Sequence, residues 1–331
     1  MDGFDHYNTN QLPDKGWATG NGSPAIGGSG RFGGSNLELG GLSREYVTKN
    51  FGVNKTTIYF GVAIQKYEGG NPTYQSSDPF CRFEDESGVT QVRLHVLSDF
   101  SISAYQGDGT LLGTSAVGSF IDANWFYFEA KVTISATVGE VTLRVNTTQI
   151  LNLTSKDTKN GSDYIRQIEL GDIESSLSVR YDDLYIDDAQ FNGDCRIKIF
   201  TPDSVSSTNN SFTASAGNKD ECVDETPSNE DTDYIYSDTL NHKQGFGITT
   251  GSLSTVKGIQ LNNHCRLDQA GTRKITPLIR SNSTDYSGTE TGAIPADYKF
   301  ESEIFETDPD DSSAWTQTKL EAAEFGLEIT T

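Results

Sequence analysis

Residues 125–146 read WFYFEAKVTISATVGEVTLRVN. Val132 and Ile134 alternate with polar neighbours, Gly139 turns the chain, and Val141, Leu143 and Val145 share one face. Thr142 and Arg144 fall on the other face. A period of two is the mark of a half-buried strand, because successive side chains point to opposite sides of a pleated backbone. The stretch therefore predicts an antiparallel hairpin whose register is pinned by its apolar face.

The same period runs outward in both directions. Val92, Leu94 and Val96 alternate with Arg93 and His95. Ser101–Tyr105 and Thr110–Thr114 flank Gly107-Asp108-Gly109, and Asp-Gly supplies the positive φ that a tight hairpin needs. Leu177, Val179 and Tyr181 lead into Asp182-Asp183-Leu184-Tyr185-Ile186-Asp187-Asp188. Residues 16–41 hold ten glycines in 26 positions, which disfavours a helix. Beyond about 200, the segment 204–233 is polar and reads as a long acidic loop. Strands are expected again at Tyr234–Ser237, Phe246–Thr249, Thr255–Leu261, Lys274–Ser281 and Tyr298–Glu306, with one or two helical turns in Lys319–Phe325. The expected fold class is all-β, a jelly-roll sandwich over 1–200 followed by a second, smaller β-sandwich domain over 201–331.

Charge and composition narrow the function. The 331 residues carry 25 Lys and Arg against 47 Asp and Glu, a net charge of −22. That balance argues against nucleic acid and anionic membrane surfaces as partners, since both need clustered cations. No apolar run reaches membrane-spanning length, and Met1–His6 lacks the basic and apolar regions of a secretory signal. Synthesis in a cytoplasm is the expectation. Cys81, Cys195, Cys222 and Cys265 show no C-x-x-C spacing, so neither a zinc nor a thioredoxin-like site is expected.

The segment 31–188 resembles the concanavalin-like, laminin-G-type jelly rolls. The resemblance lies in Arg31-Phe32-Gly33-Gly34-Ser35-Asn36-Leu37-Glu38-Leu39 as a first strand, the Trp-led hairpin 125–146, and Asp182–Ile186 as a closing strand. At Asn146-Thr147 the chain departs from the Asp-Gly that family members carry in that turn. A narrower resemblance, to minor tail or tail-associated proteins of tailed bacteriophages, covers Asp2–Tyr7, Asp182–Asp188, Gly193–Ile197 and 308–329. It implies a non-enzymatic structural protein of a virion, tail-associated or capsid-decorating, packed in many copies against other virion proteins. The alternatives are a virion adhesin binding a host surface glycan and, behind it, a polysaccharide-cleaving glycoside hydrolase.

Several side-chain sets are candidates for chemistry. Gly28-Ser29-Gly30-Arg31-Phe32-Gly33 has the G-x-G-x-x-G spacing, but strand-like sequence follows it where a phosphate cradle needs a helix. Glu169, Asp172 and Glu174 approximate the Glu-x-Asp-x-Glu of concanavalin-like glucanases, with one extra residue that puts Glu169 on the opposite face of a regular strand. Asp182, Asp183, Asp187 and Asp188 offer oxygens to Ca²⁺, the one metal considered, but an unbroken strand splits them two and two. No other cofactor is expected. Tyr67, Tyr74 and Phe80 flank a polar loop at the expected sandwich rim and are the candidate sugar-binding aromatics. His6, His95, His242 and His264 show no zinc-hydrolase spacing, and His6 is expected to pack with Phe4, Tyr7 and Trp17.

Overall fold

Alternating apolar positions need a partner face, and two sheets packed face to face supply it. The computed structural model of the chain describes residues 1–40, 44–66, 79–121, 124–171 and 178–330. They fall into two compact units, Met1–Lys198 and Ile199–Thr331.

The strands of the first unit, in chain order, begin with β1 (Trp17–Thr19), β2 (Ala25–Gly27), β3 (Asn36–Leu39), β4 (Tyr46–Lys55) and β5 (Thr57–Lys66). Next come β6 (Cys81–Glu84), β7 (Thr90–Val96), β8 (Ile102–Gln106), β9 (Leu111–Thr114) and β10 (Phe126–Thr133). The last are β11 (Gly139–Val145), β12 (Thr148–Lys156), β13 (Ile165–Gly171) and β14 (Val179–Asp187). Seven form a first sheet in the order β1-β4-β13-β6-β7-β8-β9, and seven a second in the order β12-β11-β10-β5-β14-β3-β2. Neighbours within each are antiparallel. This is the concanavalin-like jelly-roll sandwich.

The core lies between the sheets. Ile58, Phe60, Val62 and Ile64 of β5 pair in register with Val132, Ala130, Phe128 and Phe126 of β10, and all eight are buried. Opposite them stand Val47, Phe83, Val92, Leu94, Ile168 and Leu170, also buried. The Phe60 and Phe83 rings meet edge to face across the layers at 6.0 Å. Tyr181 crosses the same gap: its hydroxyl donates to the carbonyls of Gly171, at 2.6 Å, and Phe80, at 3.0 Å.

The hairpin read from 125–146 is present as β10 and β11, with the turn earlier than expected. Gly139 already belongs to β11, and Ser135 holds the turn by accepting from the amides of Thr137 and Val138. The first strand is shorter than expected: it begins at Asn36, and Gly30–Gly34 closes as a turn through the Gly30 amide and Gly34 carbonyl. No helix follows that turn, so the G-x-G-x-x-G spacing makes no phosphate cradle. The N-terminal packing is as expected: Phe4 lies 5.8 Å from Trp17, and His6 meets Tyr7 edge-on at 4.8 Å.

The second unit adds β15 (Ser204–Asn210), β16 (Thr213–Ala214), β17 (Ile235–Tyr236), β18 (Lys243–Gly247) and β19 (Ile259–Cys265). Then come β20 (Lys274–Ser281), β21 (Thr284–Ser287), β22 (Lys299–Phe305), helix α1 (Gln317–Ala322) and β23 (Glu324–Thr330). A five-stranded sheet runs β15-β18-β23-β20-β21, and β19 pairs with β22 separately. Ile259, Leu261 and Phe305 of that pair pack on Ile279, Trp315, Leu320 and Phe325. Two expectations are corrected here. Residues 204–210, expected within a long loop, form an edge strand of the sheet. The helical turn ends at Ala322, and Phe325 lies on a strand.

Candidate functional site

The outward face of the first sheet carries a continuous polar row. Strand register aligns Ala18, Thr48, Glu169, Arg82, Arg93 and Tyr105 across β1, β4, β13, β6, β7 and β8. Their chain neighbours Val47, Ile168, Leu170, Cys81, Phe83, Val92, Leu94 and Ala104 point into the core. The period of two thus places the polar residues together on the other side. A groove of about 330 Å³ opens along this row, lined by Thr19, Gly20, Tyr46, Thr48, Arg82, Glu84, Gly88, Gln167 and Glu169.

The lining is held in place before any ligand arrives. Glu169, with only 4% of its side chain exposed, pairs with Arg44 and sits 3.5 Å from Arg82 Nε. Burial pushes its carboxyl up to about 7, against the pull of Arg82 and Arg44. Glu84 accepts from the Gln167 amide at 2.9 Å and from the Thr90 hydroxyl at 3.1 Å. Tyr46 closes one end, with the Arg44 guanidinium 4.5 Å from its ring centroid. Gly20 lies against the same ring: a Cβ there would stand 2.0 Å from Tyr46 Cζ, so only glycine lets the ring take this position. Beyond the groove, His95 lies on the same face as Arg93 and meets Tyr105 edge-on at 5.2 Å. Burial, with Arg93 next, lowers the His95 imidazole to about 4, so it is neutral at physiological pH.

The residues singled out from the sequence lie elsewhere or are only partly described. Phe80 is not on a rim: it is 1% exposed and packs between Phe128, at 5.3 Å, and Phe120, at 6.1 Å. Its ring is spent on the core and offers no face to a sugar. Tyr67 and Tyr74 lie outside the described residues, as do Asp172 and Glu174. Glu169 is therefore the member of that acidic set whose geometry is known.

The four aspartates expected on an unbroken strand are not on one. The β14–β5 register shifts between Asp182 and Tyr185, and Asp183 takes φ 51°. This bulge directs Asp182 and Asp183 to one neighbourhood. Asp182 accepts from the amides of Arg31, at 2.8 Å, and Asp183, at 2.7 Å. Asp183 accepts from the Ile197 amide at 2.6 Å and lies 3.6 Å from Arg31 Nη1. Asp187 caps the next turn through the amides of Ala189 and Gln190, and Asp188 pairs with Lys55 at 2.5 Å. The four carboxylates therefore hold backbone amides and cations in separate places. They do not converge on one point as a Ca²⁺ cage requires.

Sequence reading missed the row around Glu169. One signal was available, the pairing of Arg93 and His95 as the polar partners of an apolar alternation. The rest of the row, Thr48 on β4 and Glu169 on β13, comes from strands far from them in the chain.

No family model matches the chain, and no curated protein matches it. Solved structures with a similar fold include an endo-β-1,4-glucuronan lyase from the fungus Trichoderma reesei, at 12% identity over 51% of this chain and 86% of that one, TM-score 0.35. Another is a carbohydrate esterase from the Shiga toxin-encoding bacteriophage phi24B, at 12% identity over 51% and 88%, TM-score 0.34. A third is the metal-free carbohydrate recognition domain of Emp46p, at 10% identity over 55% and 92%, TM-score 0.35. At such identities the likeness concerns the fold alone.

Proposed function

We propose that the protein binds saccharide chains, without turnover, in the groove on the outward face of its first sheet. The observation that carries this reading is the pre-set row of hydrogen-bonding groups, Thr48, Gln167, Glu169 and Arg82, lining an open groove. A sugar presents hydroxyls that both donate and accept, and it is held by a few polar groups fixed by their own neighbours. Here Glu84 fixes Gln167, and Arg44 fixes Glu169. A ligand then meets the groove with little ordering left to do.

A glycan array followed by titration calorimetry tests the reading. Binding is expected for the native protein and lost in Thr48→Trp, which fills the groove from an exposed-side position. An unchanged affinity in that variant would move the site elsewhere. Retaining hydrolysis needs a second carboxylate about 5 Å from the first. Release of reducing sugar by the native protein, absent in Glu169→Gln, would replace binding by catalysis.

We also propose, on the resemblance of Asp2–Tyr7, Asp182–Asp188, Gly193–Ile197 and 308–329 alone, that the protein is carried on a phage virion. In that setting the groove is the adhesin surface. Mass spectrometry of purified particles lacking the protein would remove this part without touching the groove.

A further inference from the structure

Among the described residues, Arg93 makes no ion pair and no side-chain hydrogen bond, whereas Arg82 and Arg44 both stand against Glu169. Arg93 stands beside Arg82 in register, with Tyr105 on its other side and the ring centroid 6.0 Å from its Cζ. Its Nε is shielded from solvent without a partner. Asp108, on the adjoining turn, is an acid close by, and its carboxylate accepts from the Thr110 amide at 2.8 Å. A second unsatisfied group lies next to Arg93: His95 is 2% exposed, and its Nδ1 has no hydrogen-bond partner. An arginine without an ion pair and a buried imidazole nitrogen without a partner thus lie on one face, next in register to Arg82 of the groove lining, with hydrogen-bonding capacity unused.

We infer that the groove selects saccharides bearing an anionic group, a carboxylate or a sulfate, and that Arg93 binds that group while Glu169 keeps Arg44 and Arg82 from competing for it. This rests on the saccharide reading above and adds the ligand's charge to it. Three guanidiniums, Arg44, Arg82 and Arg93, stand with three carboxylates, Glu84, Glu169 and Asp108, so this patch is charge-balanced on a chain whose net charge is −22. The repulsion from the rest of the surface is screened beyond about 8 Å at physiological salt, so the local balance rather than the net charge meets a bound anion. His95, held neutral by burial and by Arg93, is suited to accept or donate one hydrogen bond to the ligand without adding charge.

The test measures the native protein against three probes in 0.15 M salt: polygalacturonate for the carboxylate, dextran sulfate for the sulfate, and dextran as the neutral chain. Binding of at least one polyanion about tenfold tighter than dextran is expected, about the worth of one charge-assisted contact. The preferred polyanion identifies the group. Arg93→Gln should erase the preference for the polyanion over dextran. Glu169→Gln should tighten polyanion binding, because it releases Arg44 and Arg82. Equal or stronger binding of dextran by the native protein overturns the inference and leaves the saccharide reading standing. Binding of none of the three, nor of any glycan on the array, overturns the saccharide reading itself. The native comparison decides the matter even if a variant fails to fold.

Discussion

Arg31 Nη2 lies 2.6 Å from Asp194 Oδ1, joining residues 163 positions apart in the chain. The same guanidinium reaches the Cys195 carbonyl at 3.3 Å and stands 3.6 Å from Asp183, whose side chain is 3% exposed. It therefore laces the turn before β3 to the bulge of β14 and to the segment that covers it. Truncation in Arg31→Ala leaves the buried Asp183 with only the Arg196 charge and takes one donor from the Cys195 carbonyl. A loss of about 2 kcal/mol in urea unfolding is expected, below the ~3–5 kcal/mol for breaking a buried charge pair, because Asp183 can take up a proton instead.

That proton uptake has its own signature. Burial, followed by the neighbouring Asp183 charge, pushes the Asp182 carboxyl up to about 7 from the ordinary 3.8. A folded-state value above the unfolded one means that the folded protein holds a proton the unfolded chain releases. Ionised Asp182 costs stability at pH 8. The cost is relieved as pH falls through about 7 and stops changing near 4, where the unfolded chain is protonated too. Relative to Asp182→Asn, the native protein should gain on the order of 2 kcal/mol between pH 8 and pH 5. Comparing the two by denaturation cancels the histidines common to both. A native protein that weakens relative to the variant over this window would show Asp182 stabilised as an anion.

Phe80 separates a rim aromatic from a core one. It fills space between Phe120 and Phe128, and its carbonyl accepts the Tyr181 hydroxyl. Phe80→Ala should cost about 3–5 kcal/mol of stability, the range for emptying a packed aromatic site. A rim residue that stacks on sugar would instead lose affinity at nearly constant melting temperature. Thermal unfolding with and without glycan distinguishes the two.

The sandwich was legible because its strands keep a strict period of two, and hairpins such as β10–β11 and β8–β9 join neighbours in the chain. What escaped reading depends on contacts the chain order does not show. β15 runs SVSSTNN, with Val205 its single apolar residue, so it has no hydrophobic signal. It is held by β18 pairing and by Ser206, whose hydroxyl donates to Glu324 at 2.6 Å. The β14 bulge has no glycine or proline to mark it; Asp183 takes the positive φ because Asp182 and Arg31 accept and donate around it. The groove is assembled from positions 48, 82 and 169, which meet only because β13 inserts between β4 and β6.

The turn at Asn146-Thr147 is a place where the sequence departs from its resemblance, and the structure gives the departure a cost. Asn146 and Thr147 both take positive φ, 46° and 68°, joining β11 to β12 in the geometry of a two-residue hairpin turn. Asn146 suits its position: its side chain accepts from the Tyr127 amide at 2.8 Å, and its own amide donates to the Tyr127 carbonyl at 2.8 Å. Thr147 does not, since a β-branched side chain crowds the backbone in the left-handed region. Glycine removes that crowding and loses some stability through the freer unfolded chain. The steric relief is the larger effect, so Thr147→Gly should raise stability by about 1 kcal/mol. Asn146→Ala, which puts a residue less suited to the left-handed region at 146 and removes the bond to Tyr127, should lower it by at least about as much. Paired melting curves check both signs, and a Thr147→Gly variant less stable than the native protein would show that the threonine makes a compensating contact.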